Sequence, residues 1–170
     1  PMDIKLLIAA HKQCDLPQDS IYLPVQVGKA LHPDVALEGY QPDNEGDNIS
    51  EKNPYYSEMS AVYWAWKNLK ADYVGLVHYR RHFCFKKKGN AWDSMLTSQE
   101  AELLCKEYDL ILPKKRHLYI ETVYSHYDHT FYGEQFDRAR DIIARRCPEY
   151  VETFDKHMKE RSEHLFNMFI

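Results

Sequence analysis

The run Val74-Gly75-Leu76-Val77, closed by His78-Tyr79-Arg80-Arg81-His82, constrains this chain more than any other segment. Four successive apolar or glycyl residues make a strand interior only where both faces of a sheet are covered, which is the habit of parallel sheets packed between helices. The residues that follow then stand at the strand's carboxyl end, where open α/β sheets bind ligands. Two guanidiniums and two imidazoles there form a donor-rich, electropositive floor suited to phosphate. On a continued strand neighbouring residues point to opposite faces, so at most one of Arg80 and Arg81 faces such a site. The competing reading pairs both with acids on a neighbouring segment.

Strand and helix patterns alternate along the rest of the chain. Ile4–Ala10 is a strand, and Ile21–Val27 is a weaker one whose Pro24 marks an edge or an end. Residues 31–50 have no apolar period and read as a long loop. A helix opens with Asn53 as N-cap and Pro54 at its first position, and Met59, Val62, Tyr63, Trp66 and Leu69 form its core stripe. Trp64 and Lys67 then lie away from that stripe and Glu58 near its edge. Thr97-Ser98-Gln99-Glu100 is a capping box that starts a helix turning Ala101, Leu104 and Cys105 inward. Leu110-Ile111-Leu112 reads as a buried strand stopped by Pro113. Two helices follow, carried by Phe136, Ala139, Ile142 and Ile143 and by Val151, Phe154 and Met158, with a break at Pro148. The closing run Leu165–Ile170 looks like the start of a further strand, so the chain reads as cut from a longer protein. The expected class is α/β, a mostly parallel sheet flanked by helices, with residues 1–170 as one domain.

Charge narrows the partners. The net charge of −4 excludes the uniformly basic body of a nucleic-acid binder, although aromatics interleaved with basic residues in the segment from His78 to Lys88 could in principle stack bases. That segment holds five Lys or Arg and no acid, while Asp34 to Glu51 holds six acids and no Lys or Arg. A segregated basic patch on an acidic protein suits a small anion better than a polymer. Cys14, Cys84, Cys105 and Cys147 form no C-x-x-C pair and read as reduced thiols, which suggests a cytoplasmic protein. No export signal is visible, no apolar run approaches the roughly 20 residues of a membrane span, and Pro1 before Met2 reads as a cloning remnant. Thirteen Tyr against six Gly fit half-buried rings with wet hydroxyls, as sugar and nucleoside sites use, and fit an ordinary Tyr-rich core equally well.

The order strand, acidic loop, Asn-led helix, buried strand and polar cluster is similar to the nucleotide-binding half of GT-A glycosyltransferases. In place of that fold's metal-binding Asp-x-Asp stands His78-Tyr79-Arg80-Arg81. The blocks Gly46–Ser50, Asn53–Asn68, Gly75–Phe83, Tyr108–Lys115, Ser125–Phe136 and His164–Ile170 resemble a bacterial family long catalogued as a domain of unknown function. That family occurs in capsular and exopolysaccharide gene products, some of them galactofuranosyltransferases. The resemblance implies transfer of a sugar from a nucleotide-diphosphate donor, with UDP-sugars foremost, to a growing lipid-linked saccharide. It also implies work at the inner face of the cell membrane, with peripheral contact. Trp92 with Lys86, Lys87 and Lys88 are candidates for that contact.

A departing nucleoside diphosphate gathers negative charge, and fixed positive partners must meet it. Arg80, Arg81 and a protonated His78 are the expected catalytic group, acting without a metal; Mn or Mg remains open as a cofactor. His11, Asp47, Asn48, Asn53 and Glu58 are the expected contacts to base and ribose, although turn and cap chemistry explains the Asp and Asn residues equally well. His126, Asp128 and His129, in a polar segment ahead of a helix, are expected to touch the acceptor, to serve as a base, or simply to form a hydrogen-bonded turn. Two other functions stay open: a metal-dependent hydrolase of phosphate or glycosyl esters, and a non-catalytic saccharide-binding or assembly module.

Overall fold

The computed structural model describes residues 1–85, 89, 94–164 and 166–170. Lys86, Lys87, Lys88 and Trp92, the expected membrane contact, lie outside the described residues, as does Leu165. The chain divides into two compact units, Pro1–Leu112 with Asn167–Ile170, and Pro113–Phe166.

The first unit is built on a parallel sheet. Its strands are β1 (Ile4–Ala10), β2 (Tyr22–Gln26), β3 (Gln41–Pro42) and β4 (Tyr73–Val77), in the spatial order β3-β2-β1-β4. The register sets Leu7 beside both Leu23 and Leu76, and Ile8 beside Val77. Strand alternation then sends residues to two apolar layers. Ile4, Leu6, Ile8 and Val77 pack with Leu96, Ala101 and Cys105, the last two on α3 (Ser98–Glu107). Leu7, Val25 and Leu76 pack with Ala61, Trp64 and Ala65 on α2 (Met59–Asn68). Gly75, Leu76 and Val77 are buried, as a strand covered on both faces requires. Pro24 sits in β2 opposite Ile8, and β3 reaches only Val25 and Gln26, so on that side nothing in the sheet asks Pro24 for an N–H.

The Asn53 helix differs from its expectation. It is two helices, α1 (Asn53–Tyr56) and α2, broken at Ser57, whose φ of 50° lies in the left-handed region. Asn53 does not cap. It is the first residue of α1, and its Nδ2 donates to the Ser57 carbonyl at 2.9 Å and to Ser60 Oγ at 3.0 Å, tying the two helices across the break. The buried face of α2 also differs in part from the expected stripe, although Val62 and Leu69 pack on the core as expected. Trp64 is the buried indole, 6% exposed, while Trp66 is 71% and Met59 41% exposed. The small side chains of Ala61 and Ala65 let α2 lie close to the sheet, with Trp64 filling the space beside them, and the bulkier Met59, Tyr63 and Trp66 turn outward.

The terminal segment joins the first unit. Phe169 bridges antiparallel to Leu76, donating and accepting at 3.1 and 2.8 Å, and Ile170 exchanges bonds with Ile111 at 3.0 and 2.9 Å. This explains Gly75, where a Cβ would stand 2.4 Å from the Phe169 carbonyl oxygen. Leu110-Ile111-Leu112 is not the buried strand expected: Ile111 alone of the three packs on the core, and Leu110 and Leu112 are exposed. The Thr97 capping box is present in both directions, at 3.2 Å into Thr97 Oγ1 and 3.1 Å into Glu100 Oε1.

The second unit carries an antiparallel pair, β5 (Lys115–His117) with β6 (Ser162–His164), and three helices, α4 (Val123–Thr130), α5 (Glu134–Arg146) and α6 (Val151–Lys159). The break at Pro148 between α5 and α6 is as the sequence predicts. Among the described residues no helix is long and apolar enough to cross a membrane.

Candidate functional site

From β1 the chain winds outward to β2 and β3, then returns through α1 and α2 to lay β4 on the other side of β1. The winding direction reverses between β1 and β4, and at such a reversal the two loops leaving the strand ends diverge and open a crevice. A cleft of about 340 Å³ lies there, lined by Ala9, Ala10 and His11 after β1, Val77, His78 and Tyr79 after β4, and Asn53 and Glu58 from the helical side. The structure therefore brings together His11, Asn53, Glu58 and His78 of the residues predicted from sequence. Tyr79 also lines a shallower depression with Gln13, Cys14, Asp15 and Arg80.

His78-Tyr79-Arg80-Arg81 is not a continued strand. His78 N–H donates to the Arg81 carbonyl at 2.9 Å and Arg81 N–H to the His78 carbonyl at 3.2 Å, closing a two-residue hairpin with Tyr79 and Arg80 at its tip. Period-2 alternation therefore does not divide the two arginines. The Arg80 guanidinium carbon lies 5.1 Å from the centre of the Tyr79 ring, a cation–π contact, and the in-plane N–H donors of a guanidinium suit an anion.

His78 is not the cation expected. Burial lowers its pKa, the Arg81 charge lowers it further, and Glu58 only partly opposes them. His82, edge-on to Tyr22 at 6.1 Å, is lowered by burial and then by His78. Both shifts favour the neutral imidazole, so His78 lines the cleft as a hydrogen-bonding group rather than as a fixed cation. The unfolded chain binds protons at these two positions from about pH 6.5 downward, while the folded chain resists them until lower pH. Stability is therefore complete above that value and declines as the pH falls toward the folded pKa values. Urea unfolding at stepped pH between 7.5 and 5 is expected to show this decline, with a shallower slope in His78→Gln.

Glu58 is held by a residue that sequence reasoning missed: Asn167 Nδ2 donates to Glu58 Oε1 at 2.6 Å. The one polar residue within the apolar run Phe166–Ile170 was the available signal. Asp43 was also missed. Its fully buried carboxylate accepts from Gly28 N–H at 2.9 Å, Lys29 N–H at 3.1 Å and Ser50 Oγ at 2.5 Å. Gly28, at φ 67°, is required there because its left-handed turn aims that N–H at the carboxylate.

Asp47 and Asn48 do not line the cleft. Asp47 accepts from Tyr63 Oη at 3.0 Å and lies 4.0 Å from Lys67 Nζ, and Asn48 closes a local turn by donating to the Gly46 carbonyl and accepting from Ser50 N–H. His126, Asp128 and His129 belong to the second unit; they precede α5 as expected, and are themselves helical, within α4. Glu121 accepts from both imidazoles, at 2.6 Å to His126 and 2.7 Å to His129, while Asp128 Oδ1 accepts Gly133 N–H at 3.0 Å. Those hydrogen bonds lower the Glu121 pKa from its ordinary value. Lys115 and Arg116 pair with Glu160 and Glu163 in the same unit. Among the described residues, no group of three or more His, Cys, Asp or Glu is placed to hold a metal ion.

The solved structure of WbbM, a bifunctional glycosyltransferase in its apo form, is similar to this chain with a TM-score of 0.86 and 30% identity. Together with the parallel sheet and its two helical layers, that similarity defines a GT-A-like α/β fold of the glycosyltransferase kind. The chain belongs to the family described as "Domain of unknown function (DUF4422)", whose model matches residues 5–170. The similarity covers 98% of this chain but 33% of the WbbM chain, so this chain spans about a third of that protein's length. No curated protein matches the sequence.

Proposed function

We propose that the chain is the donor-binding part of a glycosyltransferase that moves a sugar from a nucleotide diphosphate, with UDP-sugars as the leading donors, to a growing saccharide. The observation that carries this reading is the cleft between the ends of β1 and β4, placed at the point of strand-order reversal in a glycosyltransferase-like fold and edged by an arginine-tipped hairpin. His11 reaches the base, Glu58, steadied by Asn167, accepts from ribose hydroxyls, and neutral His78 donates to the sugar or the α-phosphate. Arg80 and Arg81 meet the charge of the leaving diphosphate. An ion pair about 4 Å apart at an effective dielectric near 20 is worth roughly 4 kcal/mol before desolvation, so two guanidiniums can do work that a divalent cation does elsewhere, and transfer proceeds in EDTA. The acceptor is a lipid-linked capsular or exopolysaccharide chain presented at the inner face of the cell membrane.

A thermal-shift panel of UDP, UDP-glucose, UDP-galactose and GDP tests the donor assignment. Uridine nucleotides are expected to raise the melting temperature in the presence of EDTA, because a ligand at 100 times its Kd stabilises by about 2.7 kcal/mol. A flat response to every uridine nucleotide contradicts the reading and favours a non-catalytic assembly module.

A further inference from the structure

The second unit has a groove of its own. About 340 Å³ of space lies among α4, α5 and α6, with Phe136, Phe154 and Met158 as its apolar side and Asp137, Arg140, Asp155 and Lys159 as its charged side. The aromatic side is ordered: Phe154 meets Phe136 nearly perpendicular, at 85° with centroids 6.5 Å apart, and Tyr127 backs Phe136 at 4.0 Å. The charged side is built as firmly. Arg140 grips Asp155 through two parallel bonds, Nε to Oδ1 at 2.7 Å and Nη2 to Oδ2 at 2.8 Å, and Tyr124 Oη donates across both oxygens of Asp137 at 3.1 Å.

These contacts leave capacity toward the groove. A guanidinium has five N–H donors and Arg140 uses two of them here, while Asp137 accepts a single hydroxyl proton with two oxygens. Two carboxylates balance one guanidinium and one ammonium, so the wall offers fixed donors and fixed acceptors with no net charge. An anion would meet Asp137 and Asp155, and a purely apolar guest would desolvate four charges without replacing their hydrogen bonds. A sugar ring answers both constraints: its C–H face covers a phenyl ring, and each rim hydroxyl donates to a carboxylate while accepting from Arg140.

We infer that the α4–α5–α6 groove is a binding subsite for a neutral hexose residue. Its assignment to the saccharide acceptor, as distinct from saccharide binding itself, rests on the glycosyl-transfer reading above. This places saccharide recognition in the second unit, as the His126 cluster suggested, but on a different wall.

The test is a titration of the isotopically labelled chain with methyl β-lactoside, followed by amide shifts in NMR, with methyl β-glucuronide as the anionic comparison and UDP titrated separately. Saturable shifts are expected around Asp137, Arg140 and Phe154, with the glucuronide at least fivefold weaker. Asp137→Asn, which keeps an acceptor for Tyr124, is expected to weaken lactoside at least tenfold, and Phe154→Leu, which keeps bulk but removes the ring face, at least fivefold. Absence of saturable shifts in this groove, tighter binding of the glucuronide, or wild-type affinity in both variants overturns the inference. If UDP fails to bind while lactoside saturates the groove, the donor assignment falls and the subsite stands; if UDP binds and lactoside does not, the subsite falls alone.

Discussion

Asp43→Ala is expected to destabilise the first unit by about 3–5 kcal/mol, the sum expected from leaving two or three inward-facing donors without an acceptor. Three donors converge on this carboxylate in the folded chain, two backbone N–H groups and the Ser50 hydroxyl. Without it they stay buried and unanswered, and each such group costs about 1–3 kcal/mol. The effect reaches the cleft because Ser50 Oγ also accepts from Ala30 N–H at 3.0 Å and begins the turn Ser50–Lys52 that leads into Asn53. Urea unfolding reads the stability, and UDP titration of the still-folded variant is expected to show weaker binding. A loss below about 1 kcal/mol, the net worth of one ordinary hydrogen bond, means that the loop is organised by something other than Asp43.

Arg80→Ala is expected to lower kcat for sugar transfer by about 100-fold, the lower end of what removing one preorganised donor to a developing negative charge costs. The lower end applies because Arg80 is exposed on the hairpin tip and water screens part of its field. KM for the donor is expected to change less, since the charge on the leaving oxygen is largest in the transition state. Arg80→Lys restores only part of the rate, because a point charge lacks the planar fork that grips two phosphate oxygens. Rates measured with and without EDTA complete the comparison. If wild-type activity disappears in EDTA and manganese restores it, the arginines are not the principal source of positive charge. If Arg80→Ala is as fast as wild type, the hairpin tip has no part in the chemistry.

The sheet was legible because the burial of a parallel strand leaves a direct mark on sequence. Val74-Gly75-Leu76-Val77 cannot be read as a half-exposed strand, and His78 onward therefore had to lie at a strand end. The face of α2 was not legible. Its period was visible, but both faces carry apolar side chains, and it is the small Ala61 and Ala65 rather than the bulky Met59 and Trp66 that let the helix approach the sheet; nor does anything in the Asn53–Asn68 string distinguish a continuous helix from two helices tied by Asn53. The hairpin at His78–Arg81 was missed for a related reason: it is closed by main-chain bonds that favour no particular side chain, in a segment whose β-like composition suits strand and turn alike.

For the site, His11, Asn53, Glu58 and His78 were found because each sits near an element end, and element ends can be placed from pattern. Asp47 and Asn48 were drawn from the same loop as Asp43, and no local rule separates an acid that folds the loop from one that faces solvent. Only the convergence of Gly28, Lys29 and Ser50 on one carboxylate does so, and those residues are 15, 14 and 7 positions away. The charge state of His78 was likewise hidden, because it follows from burial and from the placement of Arg81 and Glu58 around it.

The central claim is that the cleft between the ends of β1 and β4 holds a nucleoside diphosphate with Arg80 on its phosphates. Mapping UDP and uridine by amide shifts on the labelled chain, for wild type and Arg80→Ala, tests it most directly. The account predicts that both ligands perturb Ala9–His11 and His78–Tyr79, and that Arg80→Ala weakens UDP at least tenfold while leaving uridine unchanged. Shifts confined to other surfaces, or equal affinity of the two proteins for UDP, would contradict it.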